Sequence, residues 1–291
     1  MRIVTRGAEL RALSRRARQS GMSVGFVPTM GSLHEGHRSL IRRAREEHHR
    51  IAVSVFVNPL QFGPKEDFSR YPRDEVNDVR LCRDAGCDWL FLPRARSLYS
   101  PWFTTTVDPG PLGQVWEGAA RPGHFRGVAT IVLKLLNLVE PDTVYVGQKD
   151  FQQARVLQAM AHDLDLTARV VMCPTVRERD GLALSSRNVY LSPEERIRAA
   201  GMIRAMREGK ALARSGIRSA RAILARVRKI LLREAQPDDI DYLALVDGTN
   251  LDPLPRLDAG GGYLIGAIRI GTTRLIDNLH LLPPARRKKG A

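Results

Sequence analysis

From Val24 to Cys173 the chain alternates short apolar runs rich in β-branched residues with stretches of helical pattern, and no other feature narrows its possible folds so far. The runs are "VGFV" (Val24–Val27), "IAVSVFV" (Ile51–Val57), "WLFLP" (Trp89–Pro93), "TVYV" (Thr143–Val146) and "ARVVMCP" (Ala168–Pro174). Helical stretches begin near Gly36 and near Asp74, then follow as "GVATIVLKLLNLV" from Gly127 and "DFQQARVLQAMAHDL" from Asp150. A strand that is apolar at nearly every position is buried on both faces, which is the condition of a parallel sheet sandwiched between helices. The expected fold class is therefore α/β, a Rossmann-like doubly wound parallel sheet that binds ligands at the carboxyl ends of its strands.

The pattern changes after "CPTVRERDGLALSSRN" (Cys173–Asn188). Ser192, Pro193, Glu194 and Glu195 open a helix: serine caps, proline suits the first turn, and the acids complement the positive end of the dipole. Two long basic helices follow, then the strand-like runs "IDYLALVD", "GGYLIGAIRI" and "TRLIDNLHL". The expected organisation is a first domain over residues 1–175, a smaller α+β lid domain over 176–283 and a basic disordered tail over 284–291. The loop 177–188 is read as a hinge over the strand ends of the first domain.

Hydrophobic residues at 43% and charged ones at 26% suit a soluble globular protein, and no apolar run is long enough to span a membrane. The N-terminus "MRIVTRGAELRAL" lacks the apolar core of a secretory signal. Cys82, Cys87 and Cys173 form neither an even disulfide set nor a metal pair, and the expected location is cytoplasmic. The formal net charge of +15 invites a nucleic-acid partner. Yet the basic residues are mostly arginines spread through nearly every helix, a compositional bias without aromatic interleaving, so no nucleic-acid partner is expected.

Four segments carry candidate chemistry. In "PTMGSLHEGHRSLIRRA" (Pro28–Ala44), Pro28 is expected to stop the strand ladder, Gly31 to allow a turn and Gly36 to let the chain enter a helix. His34 and His37 then share one face of the first helical turn, where free N–H groups and the positive dipole end favour phosphate oxygens. His48 and His49 are read as surface residues. In "VSVFVNPLQFGPKEDFSRYPRD", Asn58 and Gln61 sit just past a buried strand, where amides can orient a polar substrate. In "VYVGQKDFQQ", Gly147 allows close approach, Lys149 offers a point charge for phosphate, Asp150 can cap a helix or hold ribose hydroxyls, and Gln153 shares its face. In "DGLALSSRN", Ser185, Ser186 and Arg187 offer donors to phosphates. Taken alone, the H-x-G-H turn also fits a simple nucleotidylyltransferase, and the basic helices fit a nucleic-acid-binding module.

In their order and intervals these segments resemble the pantothenate synthetase (pantoate:β-alanine ligase) family. The likeness runs from the N-terminus to about Asn278 through "VPTMGSLHEGH", "FVNPLQF", "RYPRD", "EGAARPGHFRGVATIVLKLLNLVEPD", "GQKDFQQ", "DGLALSSRN" and "RLIDN". It implies an ATP- and Mg²⁺-dependent ligation of pantoate and β-alanine to pantothenate, through a pantoyl adenylate, with release of pyrophosphate and AMP. It implies an ATP segment of Met30, Gly31, Ser32, Leu33, His34, Glu35, Gly36 and His37, continued by Gly147, Gln148, Lys149, Asp150, Val176, Leu184, Ser185, Ser186 and Arg187. His37, His34 and Lys149 take the catalytic positions; Gln61 and Gln153, with Asn58 beside them, take the pantoate and β-alanine positions. A homodimer is implied as well. Gln148 stands where "GEKD" is the commoner form, and Asn77-Asp78 stands where some members carry an acidic pair, so Asp78 is a candidate metal ligand.

Overall fold

The computed structural model describes residues 1–64 and 66–282. They divide into two compact units, one of residues 1–176 with 184–186, the other of residues 177–183 with the chain from 187 onward. The expected tail 284–291 lies outside the described residues.

The first unit holds six parallel strands: β1 (Arg2–Val4), β2 (Val24–Thr29), β3 (Arg50–Val55), β4 (Trp89–Phe91), β5 (Thr143–Gly147) and β6 (Arg169–Cys173), in the spatial order β1-β4-β3-β2-β5-β6. Its helices are α1 (Gly7–Gln19), α2 (Glu35–Glu47), α3 (Glu75–Asp84), the single turns α4 (Ala95–Leu98) and α5 (Glu117–Ala120), α6 (His124–Val139) and α7 (Phe151–Asp163). Successive residues of a strand face opposite sides, and the core divides accordingly. Phe26, Ala52, Val144 and Val146 pack with α1, α6 and α7, whereas Val27, Ile51, Val53 and Tyr145 pack with α2 and α3. The sheet is thus covered on both faces.

Two local expectations change. β1 is the three-residue "RIV", which itself starts on an arginine and is too short to stand out as an apolar run, and it adds an edge beside β4. Pro28 does not end the ladder: it pairs in register with Ser54 and the strand runs on to Thr29. Pairing with β5 stops at Phe26, so the N–H that Pro28 lacks falls where one side of β2 is already open.

The second unit packs α8 (Pro193–Arg214) and α9 (Ala220–Glu234) on an antiparallel sheet of β7 (Asp239–Val246), β8 (Gly262–Ile270) and β9 (Thr273–Leu281). Ser192 caps α8 as expected, and the Glu195 side chain, read only as complementing the dipole, answers by accepting from Ser192 N. Arg177 forms a two-pronged ion pair with the buried Asp277 of "RLIDN" at 2.6 and 2.8 Å, fixing residues 177–183 to β9. Among the described residues no helix is long and apolar enough to cross a membrane.

Candidate active site

The chain reverses its winding at β2: β3 and β4 lie to one side and β5 and β6 to the other. A crevice opens at such a switch, beyond the carboxyl ends of β2 and β5. Residues 30–37 leave β2 there and residues 148–153 leave β5.

The loop after β2 is held by one carboxylate. Gly31 and Ser32 are both left-handed, at φ of 87° and 51°, which turns two successive N–H groups inward. Asp78 of α3, buried, accepts from Ser32 N at 3.1 Å with Oδ2 and from Leu33 N at 2.6 Å with Oδ1. A Cβ on Gly31 would lie 2.9 Å from Asp78 Oδ2, so glycine is needed for space as well as for φ. Burial raises the Asp78 pKa and the two amides oppose that shift.

At the start of α2 the histidines cap the helix with their own rings. His34 Nδ1 accepts from Gly36 N at 3.2 Å, and His37 Nδ1 accepts from His34 N at 3.3 Å. A ring nitrogen that accepts an amide N–H carries a lone pair, so each neutral ring bears its proton on Nε2. The ring centroids are 4.2 Å apart. Burial, then the charge of Lys149, lowers the His34 pKa to about 4, and burial, then His34, lowers that of His37 to about 3. Near neutral pH the pair therefore presents two uncharged Nε2–H donors. Lys149 and Asp150, 3.2 Å apart, are near enough for their charges to act on both rings.

At the end of β5, Gly147 has an ordinary φ of −80°, and a Cβ there would meet nothing closer than Lys149 N at 4.0 Å. The protein's own packing does not require this glycine; what a side chain would fill is the space beyond the strand. Gln148, Lys149 and Asp150 form a 3₁₀ turn leading into α7. In α7, Gln152 is buried and spent on Glu117 N, Leu112 O and Val115 O, while Gln153 is only half-buried.

Asn58 caps, and Gln61 ends, a 3₁₀ turn (Pro59–Gln61) that follows β3. Asn58 Nδ2 donates to Gly127 O at 3.1 Å and to Gln61 Oε1 at 3.2 Å, and its Oδ1 accepts from Tyr99 at 2.7 Å. Gln61 Nε2 rests 2.9 Å from the sulfur of Met30, a weak acceptor. A Cβ on Gly127 would lie 2.2 Å from Leu60 O, so only glycine lets α6 meet this turn.

Of the last segment, Leu184 N donates to Val176 O at 3.0 Å and the Ser186 hydroxyl donates to Ser32 O at 3.1 Å, which brings the serine loop against the histidine loop. Ser185 lies between them in the first unit, and Arg187 belongs to the second. Leu33 and Glu35 turn away: the Leu33 side chain is in the core, and the Glu35 carboxylate pairs with Arg38 and Arg42 at 3.4 and 3.1 Å. Sequence reasoning assigned no role to Tyr99, Arg121, His124 or Glu66: Tyr99 bonds to Asn58, Arg121 and His124 reach the Gln61 carbonyl, and Glu66 is paired with Arg121. The signal available was "RPGHFRG" at the head of α6.

The pantoate-beta-alanine ligase family model matches residues 2–280. The chain belongs to that family. A pantothenate synthetase of Rubrobacter xylanophilus is 50% identical over 280 residues, covering 94% of this chain and 96% of that protein. The crystal structure of pantothenate synthetase from Thermus thermophilus superposes with a TM-score of 0.92 at 48% identity, covering 97% of this chain and 100% of that one. The pantoate-beta-alanine ligase of Francisella tularensis, solved with beta-gamma ATP and beta-alanine, gives 0.79 at 30% identity over 96% of this chain and 97% of its own. As a pantoate–β-alanine ligase, the chain is an enzyme that joins pantoate and β-alanine to form pantothenate.

Proposed function

We propose that the reaction runs through pantoyl adenylate in the crevice beyond β2 and β5. The pantoate carboxylate attacks the α-phosphorus of ATP and expels pyrophosphate; the β-alanine amine then attacks the acyl carbon, forms the amide and expels AMP. The difficult step brings two anions together. What chiefly supports this reading is the pair of neutral Nε2–H donors of His34 and His37 at a capped helix N-terminus, with Lys149 close enough to act on both. These groups stabilise charge that builds on the α-phosphate in the transition state, and a carboxylate nucleophile brings no proton that a base must remove.

Residues 30–37, Gly147, Gln148, Lys149, Asp150, Val176, Leu184, Ser185, Ser186 and Arg187 form the nucleotide side of this reading. Leu33 contributes through loop geometry, since its amide and side chain are both engaged. Gln61 and Gln153 hold pantoate, with Asn58 setting the Gln61 amide. A thioether is easily replaced as an acceptor, so Gln61 Nε2 turns from Met30 to a substrate oxygen at little cost.

Mg²⁺ accompanies the triphosphate in this reading and shields its charge. Among the described residues no three His, Cys, Asp or Glu side chains gather to hold a metal ion. Mg²⁺ binds through phosphates and one or two carboxylates, a demand Asp150 would meet beside the histidines. Asp78 has both oxygens on backbone amides and is read as the anchor of the histidine loop. Family likeness supports a homodimer, which sedimentation checks. Free, buried Cys82, Cys87 and Cys173 accord with a cytoplasmic location.

Purified protein with ATP, Mg²⁺, pantoate and β-alanine is expected to form pantothenate and AMP in equal amounts, measured by mass spectrometry. Release of ADP in place of AMP would overturn the adenylate route. Calorimetry of Gln61→Ala is expected to show pantoate affinity down about 10-fold, one good hydrogen bond's worth, with ATP affinity held; equal losses for both ligands would contradict the assignment.

A further inference from the structure

The head of α6 carries a charged, largely buried cluster that the proposed chemistry does not use. Arg121 lies just before α6, and its side chain is 14% exposed. Its Nε and Nη2 reach the two oxygens of Glu66 at 2.7 Å each, its Nη1 lies 3.5 Å from Glu117, and its Nη2 donates to Gln61 O at 3.4 Å. Arg121 Nη1 also donates to His124 Nε2 at 3.1 Å, and His124 Nδ1 lies 2.8 Å from Gln61 O. An arginine cannot accept, so His124 Nε2 holds the lone pair and Nδ1 the proton. This is the opposite tautomer to that of His34 and His37. Burial, then Arg121, lowers the His124 pKa to about 4, so the ring stays neutral near pH 7 and its donor remains aimed at Gln61 O.

Two donors thus converge on one backbone carbonyl, that of the residue whose amide is read as the pantoate contact. The same arginine ties down Glu66, in the segment that follows Gln61. Buried charge of this kind is a poor means of adding stability, because an apolar cluster of similar volume does as well or better. What it supplies is direction. The fork of Arg121 and the fixed tautomer of His124 admit one placement of the Gln61 peptide, and Gly127 lets α6 come close enough to impose it.

We propose that Arg121 and His124 are positioning residues for pantoate, a clamp that fixes the Gln61 backbone and, through Glu66, the segment after it, so that the Gln61 amide meets the substrate. The inference rests on the reading of Gln61 as a pantoate contact. It makes Arg121 and His124 act through Gln61 without touching substrate.

The test is a double-mutant cycle in steady-state adenylation, with kcat/KM for pantoate and KM for ATP measured for Arg121→Ala, Gln61→Ala and the double variant. Arg121→Ala is expected to lower kcat/KM for pantoate by about 10-fold, as much as and no more than removing the Gln61 side chain itself, with KM for ATP unchanged. In the Gln61→Ala background the same change should add less than about 3-fold, since the group it positions is gone. Full additivity, or equal damage to ATP binding, overturns the clamp. If Gln61→Ala itself leaves pantoate kinetics intact, the reading of Gln61 fails first, and that outcome is distinct.

A second pair guards against simple unfolding. An asparagine side chain can place an N–H near the Nδ1 position and a glutamine cannot, so His124→Asn should retain most of the pantoate kcat/KM and His124→Gln should lose it. Equal behaviour of these two variants, both folded by circular dichroism, also overturns the proposal.

Discussion

His37→Ala is expected to lower pantoate-dependent release of pyrophosphate by about 10² to 10³-fold, the effect of losing one preorganised donor to a transition-state oxyanion. His37→Gln should retain far more, at least about a tenth of the wild-type rate, because its side-chain amide places a neutral N–H near the position of Nε2. The difference follows from the hydrogen bond that His37 Nδ1 accepts from His34 N. A charged imidazolium acting as an acid has no such substitute in glutamine, so equal losses in the two variants would contradict the neutral-donor role. A depressed histidine pKa keeps the ring neutral as the pH falls, so the donor pair is lost only on acidification to about pH 4 and below. The His37 pKa is lowered to about 3 and that of His34 to about 4, so lowering the pH from 7 to 5 protonates neither ring in the free enzyme. The kcat/KM for ATP should therefore show no inflection near the ordinary imidazole pKa, about 6.5.

Asp78→Ala is expected to damage stability and adenylation together. Removing the carboxylate leaves the N–H groups of Ser32 and Leu33 without their acceptor, at roughly 1–3 kcal/mol for each that stays buried. It also frees Ser32, a non-glycine residue at φ 51°, to leave the left-handed region. The loop that presents His34 would relax by an ångström or so, and about 10²-fold in adenylation rate should go with it. Asp78→Asn keeps one acceptor oxygen and should fall between. Denaturation midpoints and pyrophosphate release measure these effects, and the Mg²⁺ concentration for half-maximal rate decides between two roles. It should stay unchanged in both variants; a large rise would return Asp78 to metal binding.

The fold was largely legible because burial on both faces leaves its mark residue by residue. "TVYV" and "IAVSVFV" are apolar throughout, as strands between two helical layers must be. β1 was not legible, since three residues carry no period, and Pro28 misled because a proline reads as a break unless one knows that β5 has already stopped pairing. The histidines were legible as a motif, but their tautomers were not. Those depend on which backbone N–H each Nδ1 accepts, a matter of ångströms at a helix cap. Asp78 reaches its amides across more than forty residues of sequence, and Arg121 and His124 reach Gln61 across about sixty. Neither contact has a local signature, so the sequence offered a metal role for the first and no role for the others.

The central claim is that the pantoate carboxylate itself attacks the α-phosphorus, with the histidine pair stabilising the charge that builds there. Pantoate labelled with ¹⁸O in its carboxylate, turned over with ATP and β-alanine, tests it most directly by mass spectrometry of the nucleotide product. The mechanism predicts one labelled oxygen in the phosphate of AMP for each pantothenate formed, since the amine leaves that oxygen on phosphorus when it takes the acyl group. AMP free of label, formed at the same rate as pantothenate, would contradict it.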